Sequence, residues 1–255
     1  MGTDIHISVQ AHLNGAWTDI TEQALPLKTK VNKIWNNDPE YAHLSQEEKQ
    51  EIMHQYFICS PEGRNYTLFA LLANVRNGYG FAGCEIFNPI KHFELKGVPE
   101  DLEDEVDSEG YYNGGYHSYN HFTYNELVKS KLWDQKITVK GFVKLNSFLE
   151  FIQAAKTDEN ASPSDYCGDV SGGNVVKLSG AKLRLLEAKG ELEAWLEQNV
   201  DLHTQSVYVK HSWEEKTALK DSAFYSWLTS GEMEKLVYED CGGPDDVRLI
   251  VSFDS

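Results

Sequence analysis

Basic residues are what this chain of 255 residues is short of: 23 Lys and Arg stand against 40 Asp and Glu, a formal net charge of −17 with histidine neutral. A protein that holds a nucleic-acid duplex gains much of its affinity by neutralising phosphates with Lys and Arg. With no Lys/Arg run to make a local exception, direct nucleic-acid binding is not expected. Cysteine is scarce too. Cys59, Cys84, Cys167 and Cys241 lie far apart with no C-x-x-C pair, so neither a zinc knuckle nor a disulfide framework is indicated, and a reducing cytoplasm fits best. No apolar run approaches the roughly 18 residues of a membrane span, and no charged-then-apolar segment opens the chain as a signal peptide would. The expectation is a cytoplasmic protein with no membrane partner. What remains is ample core material, 41% hydrophobic and 12% aromatic residues, which excludes a wholly disordered chain.

The patterning predicts an α+β fold, mainly antiparallel sheet including the N- and C-terminal strands, packed with several helices and long loops. We read it as one domain over residues 1–255. Ile5, Ile7 and Val9 alternate with polar residues, and Asn14-Gly15 supplies the positive-φ dipeptide of a hairpin turn over 3–20. Residues 21–44 read as an irregular excursion. Capping boxes at Ser45–Glu48 and Thr123–Glu126 predict helices from about 46 to 56 and from 123 to about Trp133. Leu68, Leu71, Leu72 and Val75 are spaced for a helix over 64–77 that stops at Gly78. Residues 79–121 read as irregular. A strand over 137–145, a helix over 147–156, one helix over 183–196 weakened by Gly190, a strand over 207–213, broken helix over 215–239 and a last strand over 247–253 complete the pattern. The polar, Gly-rich stretch 157–174 reads as a mobile loop.

Familiar chemistry motifs fail one by one. Glu105–Gly110 resembles the start of a calcium loop, but Tyr116 stands where the bidentate Glu is required. Gly78, Gly80 and Gly83 have dinucleotide-loop spacing in the wrong strand–helix context. No nucleophile elbow occurs. Asp4, His6, His117 and His121 could offer ligands to a zinc-like ion, though with no dense metal motif, and no metal or other cofactor is assigned. The acidic run Glu100–Glu109 reads as a solvated loop.

The most unusual stretch is Y-Y-N-G-G-Y-H-S-Y-N-H-F-T-Y-N, residues 111–125. Flat rings interleaved with Asn, Gly, Ser and His make adaptable recognition surfaces, and they suit stacking on a flat heterocycle. Arg64 and Arg76 flank the predicted helix and carry the fork that grips phosphate. Twelve residues apart, about 18 Å on a helix, they cannot hold one phosphate together.

M-G-T-D-I-H at the start, R-N-Y-T-L-F-A-L-L-A-N-V-R-N-G over 64–78 and V-R-L-I-V-S-F-D over 247–254 together resemble an uncharacterised family of phage and bacterial proteins. Its members begin M-G-x-D-I-H, continue with R-x-Y-x-L-F-x-x-L-A-x-V-R-N-G and close in a similar strand. Lys96–Pro99 and Asn120–Phe122 depart from the family's R-G-L-P and S-W-L. The motif positions carried over are Asp4, His6, Arg64, Tyr66, Arg76, Asn77, His117, Ser118, Arg248 and Asp254. The resemblance lends no activity. With the aromatic loop, it leads to the expectation of a phage accessory protein that binds a small nucleotide-derived molecule in the host cytoplasm and sequesters an immune signal. The expected ligand-binding residues are Arg64, Tyr66, Arg76, Asn77, Tyr116, His117, Ser118 and Tyr119, and a homo-oligomer is left open. Two alternatives stand beside it: a metal-assisted hydrolase acting on a nucleotide, and an acidic nucleic-acid mimic or protein-binding inhibitor.

Overall fold

A computed structural model describes residues 3–25, 39, 42–45, 47–48, 61–102 and 117–254. Most of the excursion 21–44, most of the helix expected from about 46, the acids beyond residue 102 and Tyr111, Tyr112 and Tyr116 lie outside the described residues. The Ser45 capping box is present: Glu48 N–H donates to Ser45 Oγ and Ser45 N–H to Glu48 Oε2. The chain divides into two compact units, the first made of Met1–Asn65, Phe93–Lys131 and Leu219–Ser255, the second of Tyr66–His92 and Leu132–Ala218.

Unit 1 is built on a four-stranded antiparallel sheet of β1 (Ile5–Leu13), β2 (Ala16–Asp19), β4 (His117–Thr123) and β9 (Val247–Phe253), in the order β2-β1-β9-β4. Asn14 at φ 53° and Gly15 at φ 86° form the tight turn between β1 and β2, the backbone that matches strand twist. The terminal strands are neighbours as expected, with Ile5 opposite Phe253 and Val9 opposite Leu249. All seven residues of β9 are buried. The core face carries Ile5, Ile7, Val9, Leu249, Val251, Phe253 and Phe122, each worth about 1.5–3 kcal/mol on burial.

The sequence pattern predicts an irregular 117–121, and here the structure differs. These residues open β4, paired to β9 with a register break between His117 and Asn120, where Ser118 takes φ 55°. The described residues of the unit also form the helices α1 (Thr21–Ala24), α3 (Tyr124–Lys129), α7 (Ala223–Leu228) and α8 (Gly231–Lys235). Ser222 and Ser230 cap the last two, and Trp227 donates to the Ala24 carbonyl at 2.8 Å.

Unit 2 carries a second sheet, β3 (Glu85–Ile86), β5 (Lys136–Lys144), β8 (Ser206–Lys216) and β7 (Val175–Ser179) in that order, with β6 (Tyr166–Cys167) also paired to β5. Only β7 runs parallel to its neighbour. The helices are α2 (Tyr66–Ala73), α4 (Leu145–Ala154), α5 (Gly180–Lys189) and α6 (Leu192–Asn199). Two expectations need correcting. The helix expected to run to Asn77 ends at Ala73, because Asn74 enters the left-handed region at φ 57°, where the short amide side chain is tolerated. The helix expected over 183–196 is two helices, broken where Gly190 adopts φ 69°. Part of 157–174 joins the sheet as β6. Among the described residues, no helix is long and apolar enough to cross a membrane. The fold class is α+β, with both terminal strands in one sheet.

Candidate functional site

Four polar side chains from distant positions meet at one end of the unit 1 sheet. Arg64 donates to both carboxylate oxygens of Asp4, at 2.7 and 3.1 Å. Asp4 N–H donates to Asp254 Oδ1 at 2.7 Å, and Asp254 Oδ2 lies 3.3 Å from His6 Nε2. Strand alternation explains the convergence: Asp4 and His6 share one face of β1's line, and Asp254 follows directly on β9, whose Ser252 pairs His6. The forked Arg64 contact holds the Asp4 carboxyl below its ordinary range. All four side chains stay open to water, 57% for Arg64, 50% for Asp4, 41% for His6 and 36% for Asp254.

β4 adds His117 opposite Phe253, with its Nδ1 2.8 Å from Ser118 Oγ. The left-handed backbone at Ser118, unusual for a residue with a Cβ, sits in the register break. Deeper along the strand the polar groups are structural. Asn120 is fully buried; its Oδ1 accepts from Lys96 N–H at 2.8 Å and its Nδ2 donates to Glu94 O at 3.0 Å. His121 Nδ1 lies 2.9 Å from the Gly97 carbonyl. These contacts tie β4 to the segment 94–97.

Arg248, another motif position, is buried on β9. Its guanidinium donates to Gln10 Oε1 at 2.9 and 2.6 Å and to both oxygens of Asp101 at 2.8 and 2.6 Å, and it stacks 4.1 Å from the Trp17 ring centroid. The expectation of a solvated loop over Glu100–Glu109 does not hold at Asp101, whose carboxyl the guanidinium holds below the usual range. Gln10 and Asp101 are the partners that sequence reasoning missed. One signal could have found them: an arginine inside the apolar strand V-R-L-I-V needs acceptors.

Tyr66, Arg76 and Asn77 belong to unit 2 and form a separate set. Arg76 lies over the Tyr66 ring at 4.7 Å and takes φ 53°. Asn77 donates to Ile90 O at 2.9 Å, accepts from Ile90 N–H at 3.0 Å and donates to Asn74 Oδ1 at 2.9 Å, which pins the turn after α2. The expected ligand residues therefore divide. Arg64, His117, Ser118 and Tyr119 lie in unit 1, Tyr66, Arg76 and Asn77 in unit 2, and Tyr116 outside the described residues.

No group of three or more His, Cys, Asp or Glu is gathered for a metal ion among the described residues. Burial pushes the Cys84 thiol up to about 11 and raises Cys167 and Cys241 as well, the opposite of what a nucleophilic thiolate needs. What the unit 1 cluster can supply is a carboxylate-oriented imidazole, a second imidazole beside a hydroxyl, and an arginine fork. Comparison with protein families, with curated proteins and with solved structures finds no match to this chain.

Proposed function

We propose that the protein binds a small nucleotide-derived molecule at the sheet end where Asp4, His6, Arg64 and Asp254 meet, and acts by holding it intact, as a phage accessory protein withdrawing a host signal would. The observation that carries the reading is the gathering of four half-exposed polar groups from positions 4, 6, 64 and 254. Exposed ion pairs contribute about 0–1 kcal/mol, so stability alone is a weak reason for that convergence. Arg64 offers its fork to phosphate or ribose oxygens, in exchange for part of its contact with Asp4. His6 and His117 offer ring nitrogens, and Ser118 a hydroxyl.

The test is a thermal-shift screen against a panel of linear and cyclic nucleotides. A true ligand at 100 times its Kd stabilises by about 2.7 kcal/mol, a clear rise in Tm, and it is recovered unchanged after denaturation. His6→Ala and Arg64→Ala keep the fold and lose the rise. A flat screen defeats the reading. Recovery of a cleaved product replaces it with a hydrolase, the reading favoured by the Asp254–His6 contact, since a carboxylate-held imidazole is the usual arrangement of a general base.

A further inference from the structure

We propose that unit 2 carries a second site, for a small phosphorylated anion, in the groove where β7 stops beside β8. It does not depend on the unit 1 reading. The cross-strand register builds it. Lys140 on β5 faces Ser212 on β8, and two residues on Phe142 faces Lys210, which in turn neighbours Ser179 at the end of β7. By strand alternation these side chains share one face of the sheet. Beyond Ser179 the chain turns into α5, which contributes Arg184 to the same groove of about 400 Å³.

The lining holds three cations, Lys140, Arg184 and Lys210, and no carboxylate. In a chain of 40 acids and 23 Lys and Arg such a grouping is against composition. Lys140 is shared with Glu85 at 3.0 Å. Among the described residues neither Lys210 nor Arg184 has a carboxylate within 4.0 Å. Arg64 and Arg248 differ in this respect, since each is held by a carboxylate. His211, also in the lining, is packed edge-on to Phe148 at 4.9 Å. Burial lowers its pKa, with the Arg184 charge adding to the effect, so it stands there as a neutral ring. A second groove of about 480 Å³ shares Lys140 and Lys210 and adds Lys177, together with the carboxylates Glu85 and Asp169, which pair Lys140 at 3.0 Å and Lys177 at 3.2 Å. Lys210 therefore sits where the two grooves meet, between the carboxylate-free lining of the first and the charge-paired lining of the second. An anionic phosphoryl group among Lys140, Arg184 and Lys210 matches the first groove. The hydroxyls of Ser179 and Ser212 supply neutral groups beside the charges.

The experiment uses the full chain, inorganic pyrophosphate as probe and isothermal titration with amide NMR at low ionic strength. Wild type is expected to bind one equivalent, with shifts centred on Gly180, Lys210 and His211. Lys210→Gln/Arg184→Gln replaces exposed side chains, keeps the fold and weakens binding roughly tenfold or more, as loss of charged hydrogen-bond donors does. The charge-matched control Lys131→Gln/Lys156→Gln leaves affinity within about twofold. No binding by wild type, an equal loss in the control, or binding of a DNA duplex without binding of pyrophosphate each overturns the site. The unit 1 reading is judged separately by its own screen and its His6 and Arg64 variants.

Discussion

Arg248 is the charged side chain that β9 buries, at 6% exposure. A buried ion loses several kcal/mol of hydration, regained only through close partners that also satisfy its hydrogen bonds. Gln10 and Asp101 accept from the guanidinium and the Trp17 ring covers it. Arg248→Ala leaves Gln10 without its donor and opens a void, and we expect a loss of about 3–5 kcal/mol in urea unfolding. Asp101→Ala should cost less, about 1–2 kcal/mol, because the carboxylate is 46% exposed and solvent screens it. The pH dependence has a definite sign. The folded Asp101 carboxyl lies below its unfolded value, near 3.9, so its stabilising share is present above pH 4 and lost as pH falls through the folded value. The gap in stability between wild type and Asp101→Asn should therefore close below pH 4. A gap that widens in acid would refute the pairing. An arginine within an apolar strand signals a need for acceptors, but nothing local points to a partner 147 residues away.

Elements were legible where local chemistry decides them. Asn14-Gly15 has one good use between alternating strands, and the reciprocal bonds of Thr123 and Glu126 are written in four consecutive residues. Glu126 N–H donates to Thr123 Oγ1 at 3.1 Å and Thr123 N–H to Glu126 Oε2 at 2.8 Å, and Lys96 holds the same carboxylate at 2.6 Å. Thr123→Ala should cost about 1 kcal/mol, read as a lower urea midpoint at unchanged slope. β4 was illegible because H-S-Y-N-H carries no apolar alternation. Its place comes from non-local pairing with β9 and from the burial of Asn120. The join of β6 to the turn at 81–83, just before β3, was equally hidden. Gly168 N–H donates to Ala82 O at 2.9 Å, and a Cβ on Gly168 would fall 1.9 Å from the Gly83 carbonyl oxygen. Backbone meets backbone there, so no side chain can give way. We expect Gly168→Ala to destabilise by about 2 kcal/mol or more, while Gly173→Ala, which meets nothing within 4 Å, stays within about 0.5 kcal/mol. Equal stabilities would show that the turn does not pack on β6.

For the molecule as a whole, the controlling quantity is the charge of −17. Folding brings like charges closer than in the expanded chain, so self-repulsion opposes the compact state. Against it stand exposed ion pairs, Lys96–Glu126, Lys140–Glu85 and Lys177–Asp169 among them, each contributing about 0–1 kcal/mol. Salt weakens both terms, and the sum decides the sign. Raising salt from 0.01 to 0.1 M shortens the screening length from about 30 to about 10 Å. That removes the many long-range repulsions and leaves contacts of about 3 Å largely in place. Stability should therefore rise with sodium chloride over this range, by roughly 2–4 °C in Tm if the net gain is about 1 kcal/mol. Potassium chloride at equal ionic strength should give the same rise, because the effect is screening and not ion binding. A Tm that falls as salt is added would mean that the ion pairs outweigh the repulsion. The carboxylates would then have to be arranged with their cations far more closely than the exposed pairs indicate.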